Sequence, residues 1–264
     1  MIGKGQAGER GMALLEVRNL TKYFGGLAAL DGLDFDIHEG EILGLIGPNG
    51  AGKTTVFNMI TGTLHHTHGE ILFLGRKITG LRPHQIAQRG AIRTFQVTTL
   101  FGEMAVIQNV ILGTHQKSKI GFLGALWNSR LTRSEENHSK EEAQKILGFM
   151  GLSDIENELA KNLPHGHQRR LELAIALAAK PKLLLMDEPL TGMNHEEVRD
   201  MLKRIALIRE EGRTILLVEH NMKAVTSICD RIIVLSFGKK IAEGPPQEII
   251  QNEKVIGAYL GAET

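Results

Sequence analysis

Residues 42–60 read Ile42-Leu43-Gly44-Leu45-Ile46-Gly47-Pro48-Asn49-Gly50-Ala51-Gly52-Lys53-Thr54-Thr55-Val56-Phe57-Asn58-Met59-Ile60, and the fold follows from this stretch. The opening "ILGLI" is an unbroken apolar run, the mark of a short strand buried on both faces of a parallel sheet. Glycines then break the run, and apolar spacing resumes in "VFNMI" as a helix. Strand, glycine turn and helix in this order satisfy G-x-x-x-x-G-K-[ST] in the context that gives the motif meaning. Glycines let backbone N–H groups curl inward as an anion nest, and the helix behind adds partial positive charge. The chemistry that fits is a nucleotide polyphosphate, gripped by Gly47, Asn49, Gly50, Ala51, Gly52, Lys53, Thr54 and Thr55. Lys53 reaches the terminal phosphates, and the Thr54 hydroxyl is a ligand for Mg²⁺.

Three further apolar runs have the same character: "LLLM" at 183–186, "ILLV" at 215–218 and "IIVL" at 232–235. They predict more parallel strands with helices between them. By contrast, residues 14–37 alternate apolar and polar around expected turns at "FGG" and "DG", and "GEILFLG" at 69–75 does the same. These are expected to be antiparallel strands with one solvated face. Between Phe101 and Lys180 the period becomes helical, in "EEAQKILGFMGL" and in "HQRRLELAIALAAKP", which closes at Pro181. Within that part, 114–140 is polar and weakly periodic, and is expected to be a loop with one short helix. The expected fold class is α/β: a P-loop NTPase core with a mainly parallel sheet, an N-terminal antiparallel β subdomain and an inserted α-helical subdomain at roughly 97–180. Residues 1–12, Gly-rich and charged, are expected to be a flexible leader to one nucleotide-binding domain at 13–264.

Asp187 ends the run "LLLM", so its carboxylate is expected at the carboxyl end of a central strand, where open α/β sheets bind ligands. There it can hold the magnesium shell, while Glu188 polarises the attacking water or takes its proton. A pair of acids at a strand end is by itself more often a cap or a surface pair. The phosphate cradle gives this pair its meaning.

Composition sets limits. The chain has 264 residues, 42% hydrophobic and 23% charged, with a formal net charge of +1, which suggests neither disorder nor a nucleic-acid-binding surface. Cys229 is the sole cysteine, so no internal disulfide framework exists, and it reads as a small buried residue. No run of eighteen apolar residues occurs, and "MIGKGQAGERG" lacks the apolar segment of a signal peptide. A soluble, cytoplasmic chain that meets a membrane only through a partner is expected. The histidines of "LHHTH" (64–68) lie in a polar turn without the Cys or acidic neighbours of a metal site, Glu70 excepted. Arg169 and Arg170 read as a solvated helix face.

The segment "LPHGHQRR" at 163–170, opening an Ala/Leu-rich helix and followed by "LLLMDEP", resembles the LSGGQ signature of ATP-binding cassette ATPases in order and spacing. The resemblance covers residues 14–261. It implies ATP and Mg²⁺ as substrate and cofactor, Gln96 in "RTFQ" as a hinge glutamine sensing magnesium and the lytic water, and "GMN" at 192–194 as a loop exchanged across a dimer. It also implies that His220 contacts the γ-phosphate and that Phe24 stacks on adenine, with Tyr23 the alternative. A lone Gln, His or Phe is usually ordinary packing or surface, so it is their order after the cradle that counts. The signature residues Leu163, His165, Gly166 and Gln168 are implied to grip the γ-phosphate held by a second subunit. Where the family pattern has serine and a first glycine, this chain has Pro164 and His165. Losing a hydroxyl donor to a charged oxygen costs about 1.5–3 kcal/mol, and His165 is a candidate replacement donor.

Within the family, "LFGEMAVIQNVILG", the long polar insert, "EPLTGMN" and the terminal "IAEGPPQEIIQNEKVIGAYLG" are most similar to an ATPase of branched-chain amino-acid uptake systems. The lipid-A polysaccharide export cassette is the nearest competitor, a soluble non-transport cassette is another, and a P-loop kinase leaves the signature unexplained. The uptake resemblance implies a second ATPase, identical or different, membrane-spanning permease subunits, one of which docks a coupling helix around 96–110, and indirectly an extracytoplasmic solute-binding protein. It places the chain at the cytoplasmic face of the inner membrane.

Overall fold

In the computed structural model, residues 13–94, 100–114 and 129–260 are described, so the leader expected at 1–12 and Gln96 lie outside the described residues. The strand β3 (Ile42–Ile46) is buried along its whole length. It sits inside a six-stranded sheet ordered β10-β9-β3-β8-β7-β6. The others are β6 (Ala91–Arg93), β7 (Leu183–Asp187), β8 (Thr214–Val218), β9 (Arg231–Ser236) and β10 (Lys239–Gly244). All adjacent pairs are parallel except β9 with β10.

Successive residues of these strands feed two different cores. Ile42, Ile46, Leu184, Met186, Ile215, Leu217, Ile232 and Val234 join one cluster, and the residues between them, Leu43, Leu45, Leu185, Leu216 and Ile233, join the other. That is the period-two consequence of a strand covered on both sides, and it explains why the runs show no polar alternation. The second core is closed by α1 (Lys53–Ile60) and by an antiparallel sheet ordered β2-β1-β4-β5. That sheet contains β1 (Ala13–Phe24), β2 (Leu27–His38), β4 (His68–Phe73) and β5 (Arg76–Lys77). After α2 (Pro83–Arg89) and β6, the helices α3 (Val106–Thr114), α4 (Ser129–Met150) and α5 (His165–Ala178) close the first core. It is completed by α6 (His195–Glu210), α7 (Met222–Ile228), α8 (Pro246–Ile249) and α9 (Glu253–Leu260).

Three expectations are corrected. The turn at "FGG" is present, with Gly25 at φ +58, but the expected turn at Asp31-Gly32 is not. β2 continues through it, because Leu33 still pairs with Leu20 on one side and Leu30 with Lys22 on the other. Gly32, at φ +63, takes up a bulge, and its N–H donates to Thr21 Oγ1 at 3.0 Å. Second, the stretch expected as a loop with a short helix contains, from Ser129, the first half of the long helix α4. Among its side chains described, those of 137–150, the fully buried ones are Ala143, Leu147 and Met150, and the polar composition of its first half hid the periodicity. Third, Arg169 and Arg170 do not form a solvated face: their side chains are 22% and 17% exposed and pair with Glu172 at 3.0 Å and Asp200 at 3.5 Å. Cys229 is buried as expected, and burial pushes its thiol up to about 12.

Gly44 lets α7 close on the sheet. A Cβ there would stand 3.0 Å from Cys229 Sγ and 3.2 Å from Val225 Cγ1. Gly44→Val is expected to lower stability by about 1–3 kcal/mol through overpacking, read from the urea midpoint; an unchanged midpoint contradicts this packing.

Candidate functional site

Parallel register gathers the site on one edge of the central sheet. Val218 of β8 lies opposite Leu45 of β3 on one side and Asp187 of β7 on the other. Arg93, ending β6, pairs with Leu185. The residues that follow each strand therefore emerge side by side: Gly47 after β3, Glu188 after β7, Glu219 and His220 after β8. This carboxyl edge is where an open α/β sheet binds ligands.

The loop after β3 is shaped by glycine. At Gly47 (φ +151) a Cβ would lie 2.2 Å from the Leu235 carbonyl oxygen, so no side chain fits. At Gly52 (φ +106) a Cβ would be 2.8 Å from the Ala29 carbonyl oxygen. Gly52 is also the N-cap of α1 and supplies no side-chain cap, leaving first-turn amides for an anion. Ala51 donates its N–H to Pro48 O at 3.2 Å and accepts from Gly238 at 3.1 Å, tying the loop to the β9–β10 turn. Asn49, Gly50 and Thr54 are exposed, and Thr55 is half-buried.

Lys53 is buried, and its Nζ donates to Gly47 O at 2.7 Å and Pro48 O at 2.9 Å. Desolvation pushes its ammonium below the usual lysine value, against the opposing pull of Glu188 and Asp187. A cation held on carbonyls alone in a desolvated cradle suits an anion that can take their place.

Asp187 is buried, and one of its oxygens, Oδ2, accepts from Arg93 Nη2 at 2.5 Å. Among the described residues no group of three or more His, Cys, Asp or Glu is placed to hold a metal ion. Mg²⁺ does not need one, because it keeps water and phosphate oxygens in its shell, so a Thr hydroxyl and one carboxylate fit it. Thr54 and Asp187 would be those two groups. Glu188 has a left-handed backbone (φ +50), unusual outside glycine, and donates its N–H to Val218 O at 2.9 Å. Its Oε1 is 3.9 Å from His220 Nδ1, with both side chains substantially exposed, so the pair adds little to stability and is open to a reactant.

The sequence reading passed over two charged residues. Glu219 is 1% exposed; its carboxylate accepts the Leu190 N–H at 2.8 Å and the His220 N–H at 3.2 Å. Burial raises its pKa, against the lowering effect of these amides. It ties the loop after Glu188 to the one carrying His220. Arg93, the other, bridges Asp187 and Asn58. A charge at the end of a buried apolar run was the available signal for Glu219; Arg93 directly precedes "TFQ".

Phe24 is half exposed with Lys22 Nζ 5.0 Å from its ring centre, and Tyr23 is 41% exposed. Phe24 pairs with Leu27, close to the Ala29 carbonyl that abuts Gly52. The signature residues stand apart. No hydrogen bond or ion pair among the described residues joins 163–168 to 47–55. Leu163 and Gly166 are buried, His165 is exposed, and Gln168 Nε2 donates to Leu163 O at 3.0 Å. A Cβ on Gly192 would meet the His165 ring at 2.9 Å, so this turn touches the loop after Glu188.

Lys53→Met is expected to keep a cooperative thermal melt but lose the stabilisation that excess ATP gives, about 2.7 kcal/mol at a hundredfold excess over Kd; a variant that retains the ATP-induced shift contradicts the role given to Lys53.

Comparison with known proteins agrees with this geometry. Residues 30–191 match the family model described as ABC transporter, and residues 239–264 match one described as branched-chain amino acid ATP-binding cassette transporter. The chain is 42% identical to the high-affinity branched-chain amino acid transport ATP-binding protein BraF of Pseudomonas aeruginosa, over 94% of this chain and 98% of that protein. Its fold resembles the ADP conformation of MJ1267, an ATP-binding cassette of an ABC transporter, with a TM-score of 0.83, 32% identity and coverage of 95% and 99% of the two chains. It also resembles the ATP-binding cassette MJ0796 in a dimeric post-hydrolysis state bound to ADP and Pi, with a TM-score of 0.73, 25% identity and coverage of 88% and 98%. The chain belongs to the ATP-binding subunits of ABC transporters, ATPases whose activity is coupled to transport.

Proposed function

We propose that this chain hydrolyses ATP to drive uptake of branched-chain or other hydrophobic amino acids across a membrane, working from its cytoplasmic face. The observation that carries this reading is the C-terminal match at 239–264, which joins a segment of branched-chain transporter type to a complete phosphate cradle on the same chain.

Lys53, the amides of the cradle and the N-terminus of α1 neutralise the phosphates. Thr54, Asp187 and Gln96 would hold Mg²⁺, which would screen charge on the phosphate oxygens. Glu188 orients the attacking water and accepts its proton, and His220 steadies the γ-phosphate. The signature turn, Leu163 to Gln168 with His165 as its donor, is remote in bonding from its own chain's cradle. It serves the ATP of a second cassette, either a copy of this chain or a different ATPase; the dimeric relative MJ0796 supports the pairing.

No helix among the described residues is long and apolar enough to cross a membrane. In this reading a separate permease supplies the pathway, and an extracytoplasmic protein delivers the solute to it. The coupling helix of that permease docks around residues 96–110, the stretch that follows Arg93, itself one of the residues lining a groove of about 370 Å³ between α2, β6 and α5.

The test is uptake of radiolabelled leucine, isoleucine and valine by cells lacking this chain. The wild-type chain is expected to restore uptake and Glu188→Gln to fail; uptake that does not depend on the chain contradicts the proposal. In the assembled complex, Glu188→Gln is expected to retain ATP while turnover falls about 10²–10⁴-fold; hydrolysis at the wild-type rate removes Glu188 as the base. His165→Ala is expected to slow turnover, and unchanged turnover contradicts its donor role.

A further inference from the structure

Arg93 is more deeply buried than a helper at a surface site would be. Its side chain is 4% exposed, and that of Asp187 is 7% exposed. The guanidinium makes contacts in several directions: Nη2 to Asp187 Oδ2 at 2.5 Å, Nη1 to Asn58 Oδ1 at 2.6 Å, and its carbon 5.5 Å from the centre of the Phe57 ring. Asn58 and Phe57 belong to α1, the helix that carries Lys53 and Thr54 in its first turn. One planar cation therefore joins the helix behind the phosphate loop to the acid at the end of β7.

Two features argue against a purely architectural role. A buried ion pair is a poor way to gain stability, since apolar residues of similar volume serve as well or better. The contact is also made by a single carboxylate oxygen: Asp187 Oδ1 receives no hydrogen bond among the described residues. A two-pronged grip would have used both oxygens. We propose that Arg93 is a positioning residue for the divalent cation: it holds Asp187 by Oδ2 in fixed register with α1, so that Oδ1 is presented to the magnesium shell at a set distance from Thr54. The inference rests on the nucleotide-site reading given above. Arg93 also lines the groove between α2, β6 and α5, so a partner seated there would lie against the residue that orients the acid.

The test is titration of the full chain with the slowly hydrolysed analogue adenylyl imidodiphosphate, by calorimetry, first in EDTA and then across a magnesium series. In Arg93→Met, nucleotide affinity in EDTA is expected to match wild type. The magnesium concentration giving half of the metal-dependent gain is expected to rise about 10–100-fold, the usual cost of losing a group that orients a metal ligand. Arg93→Lys should recover part of the loss, and Asn58→Ala, which removes the guanidinium's second hold, should shift the same quantity by less. Equal loss of affinity with and without magnesium, or an unchanged magnesium requirement, overturns the role. If Arg93→Met does not fold, the Arg93→Lys and Asn58→Ala titrations decide the matter in the same terms. Wild-type chain that binds no nucleotide at all would instead remove the underlying reading of the site.

Discussion

Everything at this site depends on a close approach of backbone to backbone at the end of β3. Gly47 passes so near the Leu235 carbonyl that any side chain would collide with it. The chain can therefore turn tightly around the tip of one strand and start α1 directly behind the adjacent ones. The N-terminus of that helix comes to rest at the same edge to which β7 and β8 deliver Asp187, Glu188 and His220 in register. A wider turn would carry Lys53 away from the acids whose pull on it opposes desolvation.

The edge is fastened from two further directions. Glu219, buried at 1% exposure, holds Leu190 and His220 by their amides, so the loop after Glu188 and the loop carrying the histidine cannot separate without costing a buried carboxylate its partners. Arg93 does the equivalent on the other side, between β7 and α1. The His165 ring, packed on Gly192, joins the signature turn to the same loop.

The parallel strands could be read from sequence because burial on both faces leaves nothing but apolar residues in 42–46 and 183–186, a pattern that few other environments produce. The cradle was legible because its glycines, lysine and threonines are contiguous. What failed was less local. Gly32 looks like a turn residue, and only its pairing partners on β1 show that the strand continues. The start of α4 is polar in composition and gives no periodic apolar signal. Charged side chains were misjudged most: Arg93, Glu219, Arg169 and Arg170 carry the composition of a surface, and although Arg169 pairs locally with Glu172, the others have partners distant in the chain in Asn58, Leu190 and Asp200.

The most direct measurement is to tag the chain in its own cell, solubilise the membranes gently, and identify by mass spectrometry what is retained with it. A cassette whose signature serves a second ATP site and on which a permease docks its coupling helix should bring multi-spanning permease subunits and a second cassette with it. Recovery from the soluble fraction alone, with no membrane subunit attached, would contradict the transport assignment while leaving the ATPase chemistry in place.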